Sequence, residues 1–242
     1  MQTNHEKLGT QSIGKLLFRL AVPSIAAQLV NMLYNIVDRI YIGHIPSIGS
    51  TALTGVGVTF PILMIISAFS ALIGMGGAPR ASIKMGEQDH NGAEKIMGNC
   101  FSMLLIFSAV LTVTFLLTGR HLLSWFGASQ ETLPYALSYM NIYVMGTIFV
   151  QLALGLNPFI TSQGFAATSM LTVVIGAVIN IALDPLFIFT FHMGVQGAAL
   201  ATILSQAISS LWVVWFLCSK RTHLKLRGRN MRLSAKVLLP VL

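Results

Sequence analysis

The sequence predicts an all-α membrane protein with six spanning helices, and three observations lead there. Apolar residues make up 55% of the 242 and charged residues only 9%, where a soluble domain carries about a quarter charged residues. Mean hydropathy is +0.76, so water is not the solvent for most of this surface. Six apolar stretches are each long enough to cross a hydrocarbon core of about 30 Å, which takes about 20 helical residues. They are apolar on every face and lack the roughly ten-residue alternation of a membrane β-barrel.

The stretches run over 16–43, 52–79, 96–117, 133–156, 169–191 and 195–217. Proline and glycine inside them are tolerated, because neighbouring helices can satisfy the freed backbone groups. A seventh run begins near Ala235 and is cut off at Leu242. The expected layout is an N-terminal segment (1–15), a six-helix unit (16–217), a basic loop (218–234) and the truncated start of a seventh helix (235–242). The first run is too long for a cleavable signal peptide and is followed by more of the same.

Loop charge sets the expected orientation. Seven of the fifteen Lys and Arg lie between Lys220 and Lys236. The N-terminal flank adds Lys7, Lys15 and Arg19, and the second loop adds Arg80, Lys84 and Lys95. The odd loops together hold only Arg120. Basic loops face the cytoplasm, so both the N-terminus and the segment after the sixth run are expected inside a cell membrane. The net charge of +8 therefore reads as membrane flanks rather than a nucleic-acid surface, since no aromatic residues are interleaved for base stacking. The second loop, 80–99, has mixed charges that fit a solvated amphipathic helix with a turn at His90-Asn91-Gly92, or an ordinary connector.

Enzyme chemistry finds no support. The six His lie in predicted loops or termini. No GxSxG, HExxH or phosphate-binding loop appears. Cys100 and Cys218 form no CxxC pair and read as small buried hydrophobes on the reducing side. No cofactor or resident metal is expected.

The informative residues are polar groups in the wrong solvent. A charge within a span costs about 2.5–3.5 kcal/mol on insertion scales. Three lie well inside these runs: Asp38, Arg39 and Asp184. Gln28, Asn31, Asn35 and Asp38 fall at spacings that place them on one helical face. Lipid cannot satisfy such a stripe, so it faces either a water-filled cavity or another helix as a polar seam. Tyr34 sits one turn before Asp38 and within reach of its carboxyl. Arg39 points about 100° away and reads as an interfacial anchor. Asn180 and Asp184 share a face of the fifth helix, and Pro185 should kink it. Carboxyls held away from water are the groups a proton relay uses. The alternative for Asp184 is a helix-end cap. Pro23 permits a bend in the first helix between its basic flank and its stripe, as either a switch or a static kink. Small residues at Gly74–Ala78 and at Gly197, Ala201 and Ser205 fit close helix packing.

At these residues the chain resembles a known family. Tyr34-Asn35-Ile36-Val37-Asp38-Arg39-Ile40-Tyr41-Ile42-Gly43 is similar to the first-helix signature of MATE (multidrug and toxic compound extrusion) transporters. Asn180-Ile181-Ala182-Leu183-Asp184-Pro185 is similar to their fifth-helix signature, and Gly194-Val195-Gln196-Gly197-Ala198-Ala199-Leu200-Ala201-Thr202 to the entry of their sixth. LNPFITSQG at 156–164 resembles the loop after helix four in the bacterial Mep-type branch. The resemblance implies one lobe of a fold with twelve helices in two lobes. It implies an antiporter coupled to H⁺ or Na⁺ that exports drugs or other organic cations. In part of the family, acids matching Asp38 and the pair matching Asn180 and Asp184 form the cation or proton site, which Tyr34 and Asn35 flank, and protonation bends the first helix at a proline placed like Pro23. Gln28, Asn31, Phe60, Tyr139, Tyr143 and Phe149 are candidate cavity residues, the aromatic ones equally readable as core fillers. The lone lobe also suits two other readings. One is an inactive or scaffold membrane protein that needs a second lobe or a dimer partner. The other is a lipid flippase, which would want basic cavity residues beyond Arg39.

Overall fold

The computed structural model describes residues 13–241, and within them every regular element is helical. Lys7, most of the 1–15 segment and Leu242 lie outside the described residues. The order is α1 (Ile13–Gly43), α2 (Gly49–Gly86), α3 (His90–Trp125), α4 (Leu133–Met145), α5 (Thr147–Ser162), α6 (Ala166–Pro185), a π-helical turn (Leu186–Thr190), α7 (Val195–Cys218), a 3₁₀ turn (Gly228–Met231) and α8 (Ala235–Leu238).

The six expected spans correspond to six helical rods. Four are individually long and apolar enough to cross a membrane: α2, α3, α6 with its π turn, and α7. The expected fourth span is two helices, α4 and α5, which meet at a 59° bend and together make a fifth. The bend falls at Gly146, where a Cβ would lie 2.4 Å from Ile203 side-chain atoms. Hydropathy cannot register such a break, because both halves are equally apolar. α1 has 31 residues, about 46 Å at 1.5 Å per residue, although the polar stripe dilutes its apolar character.

The second loop differs from expectation. No separate amphipathic helix forms over 80–99. α2 runs on to Gly86 and α3 starts at His90, so most of the segment is helical extension. The turn falls at 87–89, three residues before His90-Asn91-Gly92, with Gln88 at φ 62. Asp89 caps α3 by accepting from the Gly92 N–H at 2.8 Å. His90, and His121 near the other end of α3, are helical rather than in loops. Cys100 is buried as expected, but Cys218 is exposed at the end of α7.

Packing follows the small residues. α1 lies along α6, α2 packs on α3 and α5, and α7 lies against α4, α5 and α6. Gly74 and Gly77 let α2 approach its neighbours. A Cβ at Gly74 would meet the Gly155 carbonyl oxygen at 2.8 Å, and one at Gly77 would meet Cys100 Sγ at 2.5 Å. Gly74→Val should therefore force α2 and α5 apart and destabilise the fold by about 1–3 kcal/mol. A midpoint shift in detergent thermal unfolding would measure it, and an unchanged midpoint would contradict this packing.

Two apolar cores are stacked along the helices. One surrounds Ile62, Ile66 and Met140; the other surrounds Ile73, Met97 and Phe159. Between them lies a buried polar layer. Ser70 donates to Gln151 Oε1 at 2.9 Å, and Gln151 Nε2 donates to the Ile66 carbonyl at 3.1 Å. Both ends of the Gln151 amide are paired, as a buried polar group requires.

The basic segment after α7 is a folded strap rather than a free loop. Thr222, Leu224 and Leu226 are buried, alternating with more exposed His223, Lys225 and Arg227. Gln163 Oε1 accepts from Thr222 Oγ1 at 2.7 Å and from the His223 and Leu224 N–H groups, both at 2.9 Å. Buried Glu94 of α3 accepts from the Lys225 N–H and the Asn230 amide and pairs with Arg227 at 3.3 Å. Asn99 Oδ1 accepts the Ser234 N–H at 2.7 Å.

Candidate functional site

A cavity of about 780 Å³ opens among α1, α2, α4, α5, α6 and α7, with α3 behind as scaffold. On α1, helical spacing delivers Gln28, Asn31, Asn35 and Asp38 to its wall together. The polar stripe therefore faces a cavity, not a sealed seam. α2 contributes the Phe60 and Met64 face, α5 contributes Asn157 and Thr161, and α7 contributes Ser205 and Ser209.

At one end, Asp38 meets the fifth-span pair. Asp38 is 9% exposed, Asn180 1% and Asp184 0%. Asp184 is therefore an interior group and not a loop cap. Its carboxyl lies within hydrogen-bonding reach of the Asp38 carboxyl, so α1 and α6 are joined by two acids. Asn180 Nδ2 donates to Asp184 Oδ1 at 3.2 Å and approaches Thr202 Oγ1 at 3.4 Å. Thr202 Oγ1 donates to the Ala198 carbonyl at 3.0 Å and is within hydrogen-bonding reach of Tyr139. Among the described residues, three buried oxygens here have no donor: Asp38 Oδ1, Asn180 Oδ1 and Asp184 Oδ2. Buried acceptors without partners are rare in proteins and costly. A proton shared by the carboxyls would serve the two aspartates, and a small cation among the oxygens would serve Asn180 Oδ1 as well.

Pro185 positions this cluster. It has no N–H to donate to the Ile181 carbonyl, and the chain passes from α6 into the π turn directly after it. Such wide turns are common at functional sites. Here the turn replaces the expected simple kink. Pro23 lies within a continuous α1, next to Ser24, which lines the cavity.

The remaining candidates separate. Tyr139 and Tyr143 line the cavity and stack with ring centroids 6.2 Å apart. Phe60 lines it as well. Phe149 does not: it packs on the apolar core around Met140, as a core filler. The side chain of Tyr34 reaches that of Asn35 for a hydrogen bond rather than Asp38. Arg39 is exposed. It lies on the cavity wall, its guanidinium carbon 5.7 Å from the centroid of the Phe60 ring. Sequence reasoning missed Thr202 as a partner of the acidic pair. A hydroxyl inside an Ala-rich run was the only available signal, and helix packing explains that equally well.

Known proteins resemble this chain in sequence and in fold. Residues 23–186 match the MatE family model. The chain is 29% identical over 219 residues to the multidrug export protein MepA of Staphylococcus haemolyticus, covering 90% of this chain and 48% of that protein. It is 25% identical over 201 residues to an FAD transporter of Shewanella oneidensis, covering 81% and 44% respectively. The outward-facing structure of a multidrug resistance MATE family transporter of the MOP superfamily aligns with a TM-score of 0.86 at 31% identity, over 94% of this chain and 50% of that one. A MOP superfamily transporter from Pyrococcus furiosus aligns with a TM-score of 0.88 at 30% identity, over 97% and 52%. The chain spans about half the length of the curated relatives it matches.

Proposed function

The chain belongs to the MatE family, and from that premise we propose that it supplies the ion-coupling half of an exporter for drugs or other organic cations. The single observation that carries this is the set of three donorless oxygens, on Asp38 of the cavity wall and on buried Asn180 and Asp184 beside it. They bind H⁺ or Na⁺, and a cationic substrate in the cavity competes with that ion for Asp38. Competition at one carboxyl is enough for exchange: each ligand lowers the other's affinity by the same factor. Ion occupancy then favours one arrangement of α1 against α6, with Pro23 as the bend point, and substrate favours the other.

The complete transporter has a second lobe, from a longer chain or a partner, and alternating access is a rocking of the two. Its setting is the cell membrane. The N-terminal flank and the 218–234 strap face the cytoplasm, by the loop-charge argument.

The test uses the purified chain in lipid nanodiscs and weak buffer. Adding tetraphenylphosphonium should release about one proton or one sodium ion per chain, as competitive linkage requires. Binding without any ion release would refute coupling at this site.

A further inference from the structure

The site above takes one ion and one substrate, but it leaves Arg39 unused. Arg39 is exposed and lines the cavity wall against Phe60. An arginine within a span costs several kcal/mol on insertion, and no carboxylate lies within ion-pair distance of it among the described residues. Asp38 is close enough to interact electrostatically, but its carboxyl is turned to Asp184. The guanidinium donors are therefore free to meet a ligand.

The lining itself narrows that ligand. Asp38 and Arg39 are its only acidic or basic side chains among the described residues. They are consecutive, and so point about 100° apart around α1. A simple cation at Asp38 is repelled by Arg39. A molecule with a cationic and an anionic end satisfies both. Phe60 adds a flat face that stacks with aromatic rings and with the guanidinium.

We infer that Arg39, seated on Phe60, is a specificity-determining residue that receives the carboxylate of flat aromatic substrates, so that the cavity prefers zwitterionic aromatic compounds to simple cations. This rests on the export reading, because it assigns part of the same cavity.

The test uses one xanthene dye in two forms, the free acid and its ethyl ester, at a pH where the acid is ionised. Binding is followed by fluorescence anisotropy in phosphatidylcholine nanodiscs, where no anionic lipid competes for Arg39. The wild-type chain should bind the acid about tenfold more tightly than the ester, the size of one charge-assisted hydrogen bond. Arg39→Gln should remove that preference, weakening the acid and leaving the cationic ester bound as tightly or more tightly because the repulsion is gone, and Arg39→Lys should restore the preference only in part, since a lysine lacks the planar fork. Retained ester binding shows that the variant is folded. An acid preference that survives in Arg39→Gln overturns the assignment. Equal binding of both forms by the wild type also overturns it, and leaves the export reading standing. If neither form binds, the assignment falls, and the export reading is decided separately by tetraphenylphosphonium.

Discussion

Asp38→Asn is expected to abolish ion release while leaving the protein as stable or more stable. The asparagine is nearly isosteric with the aspartate it replaces. Its amide N–H can donate to the Asp184 carboxyl, which Asp38 already reaches and which has an oxygen without a donor. Supplying that hydrogen bond should add about 1–2 kcal/mol of stability. The same change removes an exchangeable carboxyl from the pair, so substrate-driven proton or sodium release should fall at least about tenfold, by the coupling such linkage typically carries. Thermal unfolding and ion release measured on one preparation would show the two effects moving in opposite directions. That pattern separates a coupling site from a polar seam. In a seam, Asp38→Asn would alter stability and leave ion release intact. The logic is that of functional sites generally, which retain unfavourable local contacts because function uses them.

The second large effect concerns the strap. Glu94→Ala removes the common acceptor of the Lys225 N–H, the Asn230 amide and the Arg227 guanidinium. Arg227 is nearly half exposed, so water screens much of that ion pair. The Asn230 amide is buried, and stranding it is the larger penalty. The strap should lose about 2–3 kcal/mol of local stability. Most of the basic side chains are already exposed, and opening of the strap frees the backbone beside them for trypsin. If opening and closing are fast against cleavage, the rate follows the open population and should rise at least about tenfold. Glu94→Gln keeps one acceptor oxygen and should fall between. Limited trypsin digestion would read this directly, and an unchanged rate would mean that Gln163 and Asn99 hold the strap without Glu94.

The strap illustrates what composition conceals. Seven basic residues in seventeen look like a solvated loop, and most of those side chains are exposed. The burial belongs to Thr222, Leu224 and Leu226, which alternate with the polar positions. The partners that capture the backbone, Glu94, Asn99 and Gln163, lie on remote segments whose pairing is invisible along the chain. Arg39 carries the same lesson. A single helix shows only that it points away from Asp38, and whether that direction is lipid or cavity depends on where α2 places Phe60.

The sequence by itself determined the class, the number of helical rods and the face on which the α1 polar residues lie. These are local consequences of backbone geometry: about 3.6 residues per turn and no water to satisfy a backbone inside hydrocarbon. It also marked both acids, because charges in a span stand out on solvation cost alone. Only the tertiary structure decided that Asp38 and Asp184 meet, that Thr202 and Tyr139 complete their surroundings, that α4 and α5 bend at Gly146, and that the strap folds back on α3. Each depends on how closely two helices approach, which is set by small residues and side-chain packing summed over the whole unit rather than by any one segment.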